Sequence, residues 1–322
     1  MPHRFIGAIA LALVWACGLS ATAAAQSYPA RPVTIVVPNA AGGGTDTIAR
    51  LIGQRLNELW KQPVIIDNRG GANGMIGTDM VAKAKPDGLT LGLVIATQAI
   101  NPSMYKKLPY SEADFAPVTL LAEYPFIMVV TPSFPPKTAE EFIALAKARP
   151  GTITFASSGI GSGPHLGVEL LKQRAGIDLV HVPYKGAGPA STDLIAGHVN
   201  MFFNNLLASA QMISSGQLRA LAVTSLKRSP ALPGVPALSE ILPGFAVTGW
   251  YGIIAPAGTP RDIVDKIRND VAQVLADPKV RDNLAGDGAI PVASTPDEFR
   301  GFIAAETEKW AAVIKTAGVT PP

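Results

Sequence analysis

Four loops combine glycine with hydroxyl or amide side chains directly before a helical segment, and loops of this kind can bind anions. They span residues 38–45, 69–74, 157–163 and 183–188. The start of a helix presents unpaired N–H groups and about half a positive charge, so it holds an anion without Lys or Arg. Glycine lets the backbone approach the ligand closely. One such loop is equally well explained as a tight connection, but four together predict a binding cleft for a carboxylate.

The loops at 38–45 and 157–163 lead into helices that begin with hydroxyl or acidic side chains. Asp46 has three interpretations: it is an N-terminal helix residue favoured by the helix dipole, it orders the loop, or it meets an amino group of the ligand. The two loops and the helix starts beside them supply the candidate ligand-binding residues Asn39, Ala41, Gly43, Gly44, Thr45, Asp46, Ser157, Ser158, Gly161, Ser162 and His165.

Motifs of known enzyme classes are incomplete in this sequence. Pro164 occupies the third glycine position of a dinucleotide-binding fingerprint that would begin at Gly159, and no P-loop occurs. Ser162 lacks the flanking glycines of a nucleophile elbow. A hydrolase dyad of Ser162 and His165 remains an alternative, although a histidine in the first turn of a helix is also explained by structural hydrogen bonding. We therefore predict no catalytic residues and no cofactor, and the chain is not expected to be an enzyme.

A metal site is not expected either. After the N-terminal segment the histidines are His165, His181 and His198, and their spacing is unlike that of metal ligands.

The N-terminus has the parts of a secretory signal peptide. Arg4 precedes an uncharged apolar run, residues 6–19, and a small-residue end at Ala23–Ala25. The run is short for a membrane anchor, and Trp15 disfavours a lipoprotein site at Cys17. We predict that residues 1–25 are removed near Ala25 and that the protein is periplasmic. Cleavage also removes the single cysteine, so the mature chain has no disulfide.

Charge and hydropathy exclude two classes of partner. The chain has 27 basic and 24 acidic side chains, a net charge of +3, without a basic cluster. Nucleic acid is therefore not an expected partner. No second apolar stretch is long enough to span a bilayer, so we expect a mature chain that is not inserted in the membrane.

Short β-branched runs alternate with helical segments along the chain. Runs at 33–37, 64–66 and 90–96 form one series, and runs from 152 onward form a second. Strands separated by helices predict an α/β fold with a mostly parallel sheet in each of two lobes. Because no flexible linker is visible, the lobes must be joined by structured crossovers, which we place near Val118–Val129 and Val247–Ile254.

The order and spacing of several short motifs resemble the Bug family, the extracytoplasmic solute receptors of the tricarboxylate-transporter type. The resemblance covers the chain from Tyr28 to about Trp310. It rests on Val37-Pro38 through Asp46, Asp67-Asn68-Arg69, Pro86-Asp87-Gly88, Ser157 through Ser162 with His165, His181 through Gly186, and Ala255 through Pro260.

The resemblance implies a two-lobed periplasmic binding protein, type II-like, that closes on its ligand as a Venus flytrap. It places residues 26–122 and 250–322 in the first lobe and 123–249 in the second. A small carboxylate would be held by loops 38–46 and 157–162, with Thr97, Asn204 and Asn205 at the rim. The expected partners are this ligand and the membrane components of a tripartite transporter, or a sensor, and we expect a monomer. A signalling partner that needs no ligand remains an alternative.

Three positions depart from the family pattern where ligand selectivity would be set. Asn39 stands where an aromatic residue is usual, Ala41 where proline is common, and Asn73 where glycine is common. Asn39 removes an apolar wall and adds a hydrogen-bonding group. The resemblance therefore predicts how the anion is held but leaves the identity of the ligand open.

Overall fold

The computed structural model describes residues 28–286 and 288–321. The predicted signal peptide, residues 1–25, and its cleavage site near Ala25 lie outside these residues. Within them, no helix combines the length and the apolar composition that a membrane crossing requires.

One group of strands forms a sheet in the order β2-β1-β3-β9-β4, with β10 also on β4. The three outer strands are parallel, and the contacts of β9 with β3 and β4 are antiparallel. The elements of this part are β1 (Val33–Val37), α1 (Gly44–Trp60), β2 (Val64–Asn68), α2 (Met75–Ala82), β3 (Thr90–Val94), α3 (Thr97–Met104), β4 (Phe115–Val130), β9 (Thr248–Pro256), α8 (Arg261–Ala276), α9 (Pro278–Gly286), β10 (Ile290–Pro291) and α10 (Pro296–Ala317).

The middle of the chain forms a second group in the order β4-β7-β5-β6, with β8 also on β4. Strands β5, β6 and β7 are parallel, whereas β7 and β8 run antiparallel to β4. The remaining elements are α4 (Ala139–Ala148), β5 (Thr154–Ser157), α5 (Gly163–Ala175), β6 (Val180–Pro183), α6 (Ala187–Ala196), β7 (Met201–Asn205), α7 (Leu206–Ser214) and β8 (Arg219–Val223). In both groups the strands that helices separate are parallel, whereas every pairing that involves β4 or β9 is antiparallel.

Strand β4 belongs to both groups. Its residues up to Pro125 pair with β9, and its residues from Phe126 onward pair with β7. Thr224 fixes this switch, because its buried Oγ1 accepts a hydrogen bond from the Phe126 N–H at 2.9 Å and donates to the Val247 carbonyl at 2.6 Å. From the sequence we predicted crossovers near residues 118–129 and 247–254. These segments lie on β4 and β9, which we call the crossing strands.

The lobes that we propose from the resemblance, 26–122 with 250–322 and 123–249, therefore meet near the point where β4 changes partners. Apolar faces of the helices cover both sheets, with Trp250, Trp310 and Phe299 fully buried. Helix α10 also contacts α5 of the second group of elements: the Gln173 Nε2 donates a hydrogen bond to the Val313 carbonyl at 3.2 Å.

Candidate ligand-binding site

A cavity of about 360 Å³ lies between the two groups of strands, at the carboxyl ends of the parallel strands. This is the position at which open α/β sheets bind ligands. Its lining consists of Asn39, Asn73, Ile95, Ala96, Thr97, Tyr124, Phe126, Ser158, Ser162, Gly163, Pro164, Gly186, Ala187, Phe202, Asn204, Asn205 and Gly249.

The cavity has polar groups without formal charge. None of the lining residues among those described is Lys, Arg, His, Asp or Glu. Four helices begin at its wall or directly beside it: α3 at Thr97, α5 at Gly163, α6 at Ala187, and α7 immediately after Asn205. Their positive ends supply an anion-attracting field that needs no cationic side chain.

The loop at 157–163 is fixed by hydroxyl groups. Ser157 is fully buried, and its Oγ lies 2.6 Å from His181 Nε2 and 3.2 Å from the Gly159 nitrogen, whose N–H donates to it. Ser162 caps α5 by accepting a hydrogen bond from the His165 N–H at 3.3 Å. Ser158 and Ser162 line the cavity, whereas Ser157 lies behind it.

Two stacked imidazoles support this loop from beneath. The ring centroids of His165 and His181 are 3.8 Å apart, and Phe155 stacks on His181 at 4.8 Å. His165 Nδ1 accepts a hydrogen bond from the Gly161 N–H at 3.1 Å, so the proton of the neutral ring is on Nε2. Burial, with the neighbouring His181 and Lys172, lowers the pKa of His165 to about 3. Burial, followed by Lys172, lowers the pKa of His181 to about 4. Both rings are therefore neutral at physiological pH.

The hydrolase dyad considered from the sequence does not form. The contact between Ser162 and His165 joins the Ser162 Oγ to the His165 backbone nitrogen, and the ring of His165 faces Gly161 instead. The serine that does meet an imidazole is Ser157, which has no exposed surface for a substrate to reach.

Asn204 and Asn205, which the resemblance places at the rim of the site, lie at the end of β7, and both line the cavity. The Asn204 Nδ2 donates to Ser191 Oγ at 3.1 Å, and its Oδ1 accepts from the Asn205 N–H at 2.9 Å. Ser191 in turn donates to the Ala187 carbonyl in the first turn of α6. Asn204 therefore links the end of β7 to the start of α6.

On the other side of the cavity, Asn39, Thr97 and Asn73 contribute to the lining. Asn73 was noted in the sequence as a departure from the family pattern at a selectivity position, but it was not among the candidate ligand-binding residues. It has φ of 54°, and its Nδ2 donates to Asn101 Oδ1 at 2.9 Å while Asn101 Nδ2 returns a bond to the Asn73 carbonyl at 3.1 Å. Asparagine tolerates this left-handed backbone better than most residues. The asparagine within the Gly-Ala-Asn-Gly turn is the sequence feature that could have predicted Asn73 as a lining residue.

The remaining predicted residues of the loop at 38–46 lie outside the cavity lining. These residues are Ala41, Gly43, Gly44, Thr45 and Asp46. Asp46 is buried, and its Oδ2 accepts from the Gly42 N–H at 2.8 Å and from Arg50 Nε at 3.1 Å. The hydrogen bond from Arg50, followed by that from Gly42, lowers the pKa of Asp46. Of the three interpretations of Asp46, the hydrogen bond from the Gly42 N–H matches the one in which it orders the loop. Gly161 and His165 likewise lie behind the lining.

Aromatic side chains form an apolar wall that the sequence did not reveal. Tyr124 and Phe126 of β4 pack edge to face with centroids 5.7 Å apart, and Phe202 of β7 adds to the wall. Tyr124 also packs against Tyr251, with ring centroids 4.9 Å apart. A Cβ on Gly249 would come within 2.2 Å of the Tyr124 ring, so a glycine is required there. The crossing strands, rather than position 39, thus supply the aromatic surface.

Comparison with known proteins identifies the family. The model of the tripartite tricarboxylate transporter family receptor matches residues 48–319. The chain belongs to this receptor family. The resemblance to Bug proteins is confirmed, because Protein BugT of Bordetella pertussis is 39% identical over 305 residues, which are 94% of each chain.

Solved structures of related receptors share the fold. An R. palustris protein with adipate aligns with a TM-score of 0.83 at 38% identity, over 92% of this chain and 100% of that chain. MatC from Rhodopseudomonas palustris with bound malate aligns with a TM-score of 0.77 at 34% identity, over 89% of this chain and 100% of that chain. These similarities confirm the predicted two-lobed α/β fold.

The receptor family also bears on catalysis. Members of this family are transporter receptors and not enzymes, which confirms the prediction that the chain is not an enzyme. Among the residues that the structure describes, no group of three or more His, Cys, Asp or Glu side chains could hold a metal ion.

Proposed function

We propose that this receptor captures a small carboxylate between its two lobes in the periplasm and delivers it to the membrane components of a tripartite transporter. The observation that carries the proposal is the uncharged cavity beside four helix starts. Helix dipoles and neutral donors stabilise an anion without the desolvation cost of a buried cation. The adipate and malate in two related structures support the same ligand class.

The two sides of the cavity contact different parts of the ligand. Ser158, Ser162 and the start of α6 hold the carboxylate from one side, and Thr97, Asn39 and Asn73 meet it or a second polar group from the other. Tyr124, Phe126 and Phe202 cover the apolar part of the ligand. Closure follows capture because only the closed form contacts the ligand with both lobes. Closure also brings the start of α1, with exposed Gly44 and half-buried Thr45, toward the ligand.

Thermal denaturation and calorimetry with a panel of acids test this proposal. Protein freed of co-purified ligand is screened against short mono- and dicarboxylates, aromatic acids and amino acids. A ligand that binds only the native state raises the melting temperature in proportion to RT ln(1 + [L]/Kd). If no acid in the panel raises the melting temperature or releases heat, the carboxylate proposal is wrong.

A matched pair of variants locates the ligand. Ser158→Leu fills the cavity wall and is expected to weaken binding by about 100-fold, since it adds bulk where the ligand sits and removes a hydroxyl. Ser214→Leu places the same side chain on an exposed turn of α7 and serves as the control. Equal affinities of the two variants would exclude the loop at 157–163 from the site.

Export and delivery are tested separately from binding. The mature protein recovered from the periplasm is expected to begin at Gln26, which intact-mass measurement detects. Loss of uptake of the identified acid on deletion of the receptor gene, with restoration by the wild-type gene, would support delivery to a transporter. Unchanged uptake would favour a sensor as the partner.

A further inference from the structure

A second cavity, also of about 360 Å³, lies on the other face of the crossing strands. We call it the rear groove, and it is lined by residues 123–125, 225–229, 246, 248, 288, 290, 292, 302, 306 and 309. Tyr124 lines both cavities, Phe126 and Gly249 line only the ligand cavity, and their neighbours Pro125 and Thr248 line only the rear groove. Successive residues of a strand face opposite sides. The two cavities therefore lie back to back across β4 and β9.

The rear groove exposes an unusual amount of apolar surface. Leu226, Ile290 and Val292 are 58%, 57% and 41% exposed, and they are three of the nine large apolar side chains with high exposure in the described chain. Phe302 and Pro125 add to the same lining. Contiguous exposed apolar surface within a concave site is typical of a ligand- or partner-binding surface.

One buried polar group in the groove has no partner. Ser229 is 4% exposed, and its Oγ makes no hydrogen bond within the described structure. A buried hydroxyl without a partner costs about 1–3 kcal/mol. The buried hydroxyl of Thr224, which lies beside the same strands, is paired. Ser229 lines the groove although its Oγ is covered, so a ligand that displaces this cover would supply the hydrogen bond that the hydroxyl lacks.

The charges of the lining leave one cation for a ligand. Arg228 pairs with Glu240 outside the lining, and Lys309 pairs with Glu306. Glu306 also accepts from Trp310 Nε1, and Glu123 accepts from Thr248 Oγ1. Lys227, which is exposed beside Leu226, makes no ion pair among the described residues. Both carboxylates are therefore satisfied, and an incoming anion would meet an unpaired ammonium.

We propose that the rear groove is a second ligand site, for an amphipathic anion with an apolar body and one charged head. The body packs on Leu226, Ile290 and Val292, and the head meets Lys227 and the Ser229 hydroxyl. Residues 225–229 follow β8, which pairs with the second half of β4, and residues 288–309 contain β10, which pairs with β4 at Ala122 and Glu123. The bound molecule therefore bridges the two lobes that the resemblance implies. This site shares only Tyr124 with the lining of the carboxylate cavity and does not depend on the function proposed for that cavity.

The fluorescent probe 8-anilinonaphthalene-1-sulfonate, which has an apolar naphthalene, an apolar phenyl ring and one sulfonate, tests the groove in the full mature chain. Leu226→Asp is expected to weaken probe binding by about tenfold or more, because it removes apolar contact and adds a like charge. Lys227→Gln is expected to weaken it by about threefold. Ile65→Asp, at a 51% exposed position on β2, is the matched control and should leave the affinity unchanged.

Ser229→Ala supplies an independent readout. Removal of an unpaired buried hydroxyl is expected to raise the melting temperature while it weakens probe binding, which a purely structural serine would not do. Unchanged affinity in both groove variants, Leu226→Asp and Lys227→Gln, would overturn the proposal. The proposal would also be overturned if only Ser158→Leu weakened probe binding, because the probe would then lie in the carboxylate cavity. A concentration-dependent dimer that Leu226→Asp dissociates would instead assign the groove to a second copy of the chain.

Discussion

The loops at 38–46 and 157–163 look alike in sequence, yet they are ordered by opposite means. The first is held by a charged pair, in which buried Asp46 joins the Gly42 N–H to Arg50, and its residues 40–44 are exposed. The second is held by neutral groups, with serine hydroxyls and two stacked imidazoles beneath it. The second also lines the cavity, whereas the first reaches it only through Asn39.

This difference indicates a division between a preformed half and an adjustable half of the site. Buried hydrogen bonds between neutral groups hold the second loop in one conformation whether or not a ligand is present. A charged pair with one exposed partner allows movement at lower cost. We therefore expect the ligand to bind first to the loop at 157–163, with the loop at 38–46 following as the lobes close.

Removal of an imidazole should have the largest effect. His165→Ala leaves a cavity beneath the second loop and deprives the Gly161 N–H of its acceptor. The free energy of unfolding should fall by about 2–4 kcal/mol, and ligand affinity should fall with it, as urea denaturation and calorimetry measure. His198→Ala removes an exposed histidine and is expected to change the free energy of unfolding by less than about 0.5 kcal/mol. Equal effects of the two substitutions would contradict a supporting role for the stacked pair.

The neutral pair should also make stability depend on pH. The folded pKa values of about 3 and about 4 lie below the ordinary histidine value of 6.5. The unfolded chain therefore binds protons below pH 6.5 that the folded chain does not, and stability falls as the pH falls from 6.5 toward 4. The raised pKa of buried Glu169 acts in the opposite direction at the acidic end of this range.

Urea denaturation between pH 7 and pH 4.5 measures this dependence. The slope should approach a limit of about 1.4 kcal/mol per pH unit for each histidine. His181→Gln, which cannot titrate, should reduce the slope. A slope that is the same in this variant and in the unsubstituted protein would assign the acid sensitivity to other groups.

Disruption of the first loop should have a smaller effect. Asp46→Asn weakens the bonds from Arg50 and Gly42 and is expected to cost about 1 kcal/mol of stability. Ligand affinity should fall about three- to tenfold, mainly through faster dissociation, because this loop acts after the first contact. Asp265→Asn, which breaks the exposed pair with Arg261 at the same helical spacing, is the control for stability and affinity. A loss of affinity larger than that of His165→Ala would reverse the proposed order of contact.

The comparison also shows which features a single sequence can reveal. The strand–helix alternation predicted the α/β fold, because local periodicity follows directly from the side chains that face the sheet. Ser158, Ser162 and Asn205 were predictable as lining residues since they stand at strand or helix ends. Tyr124 and Phe202 were not, because only the pairing of β4 with β9 and β7 turns these strand residues toward the cavity. The role of Asp46 required knowledge of where Arg50 and Gly42 lie.

Asn73 offers the smallest and most specific test of the adjustable half. Asn73→Gly keeps the left-handed backbone at φ of 54° and removes the bond from Nδ2 to Asn101 Oδ1. Relief of backbone strain offsets the lost hydrogen bond, so stability should change by less than about 1 kcal/mol. The cavity, however, loses one amide, and affinity should shift by about two- to threefold toward ligands without a second polar group. A ligand series with and without that group, measured by calorimetry on both proteins, separates this outcome from a uniform loss of binding. A uniform loss would show that Asn73 shapes the loop rather than selects the ligand.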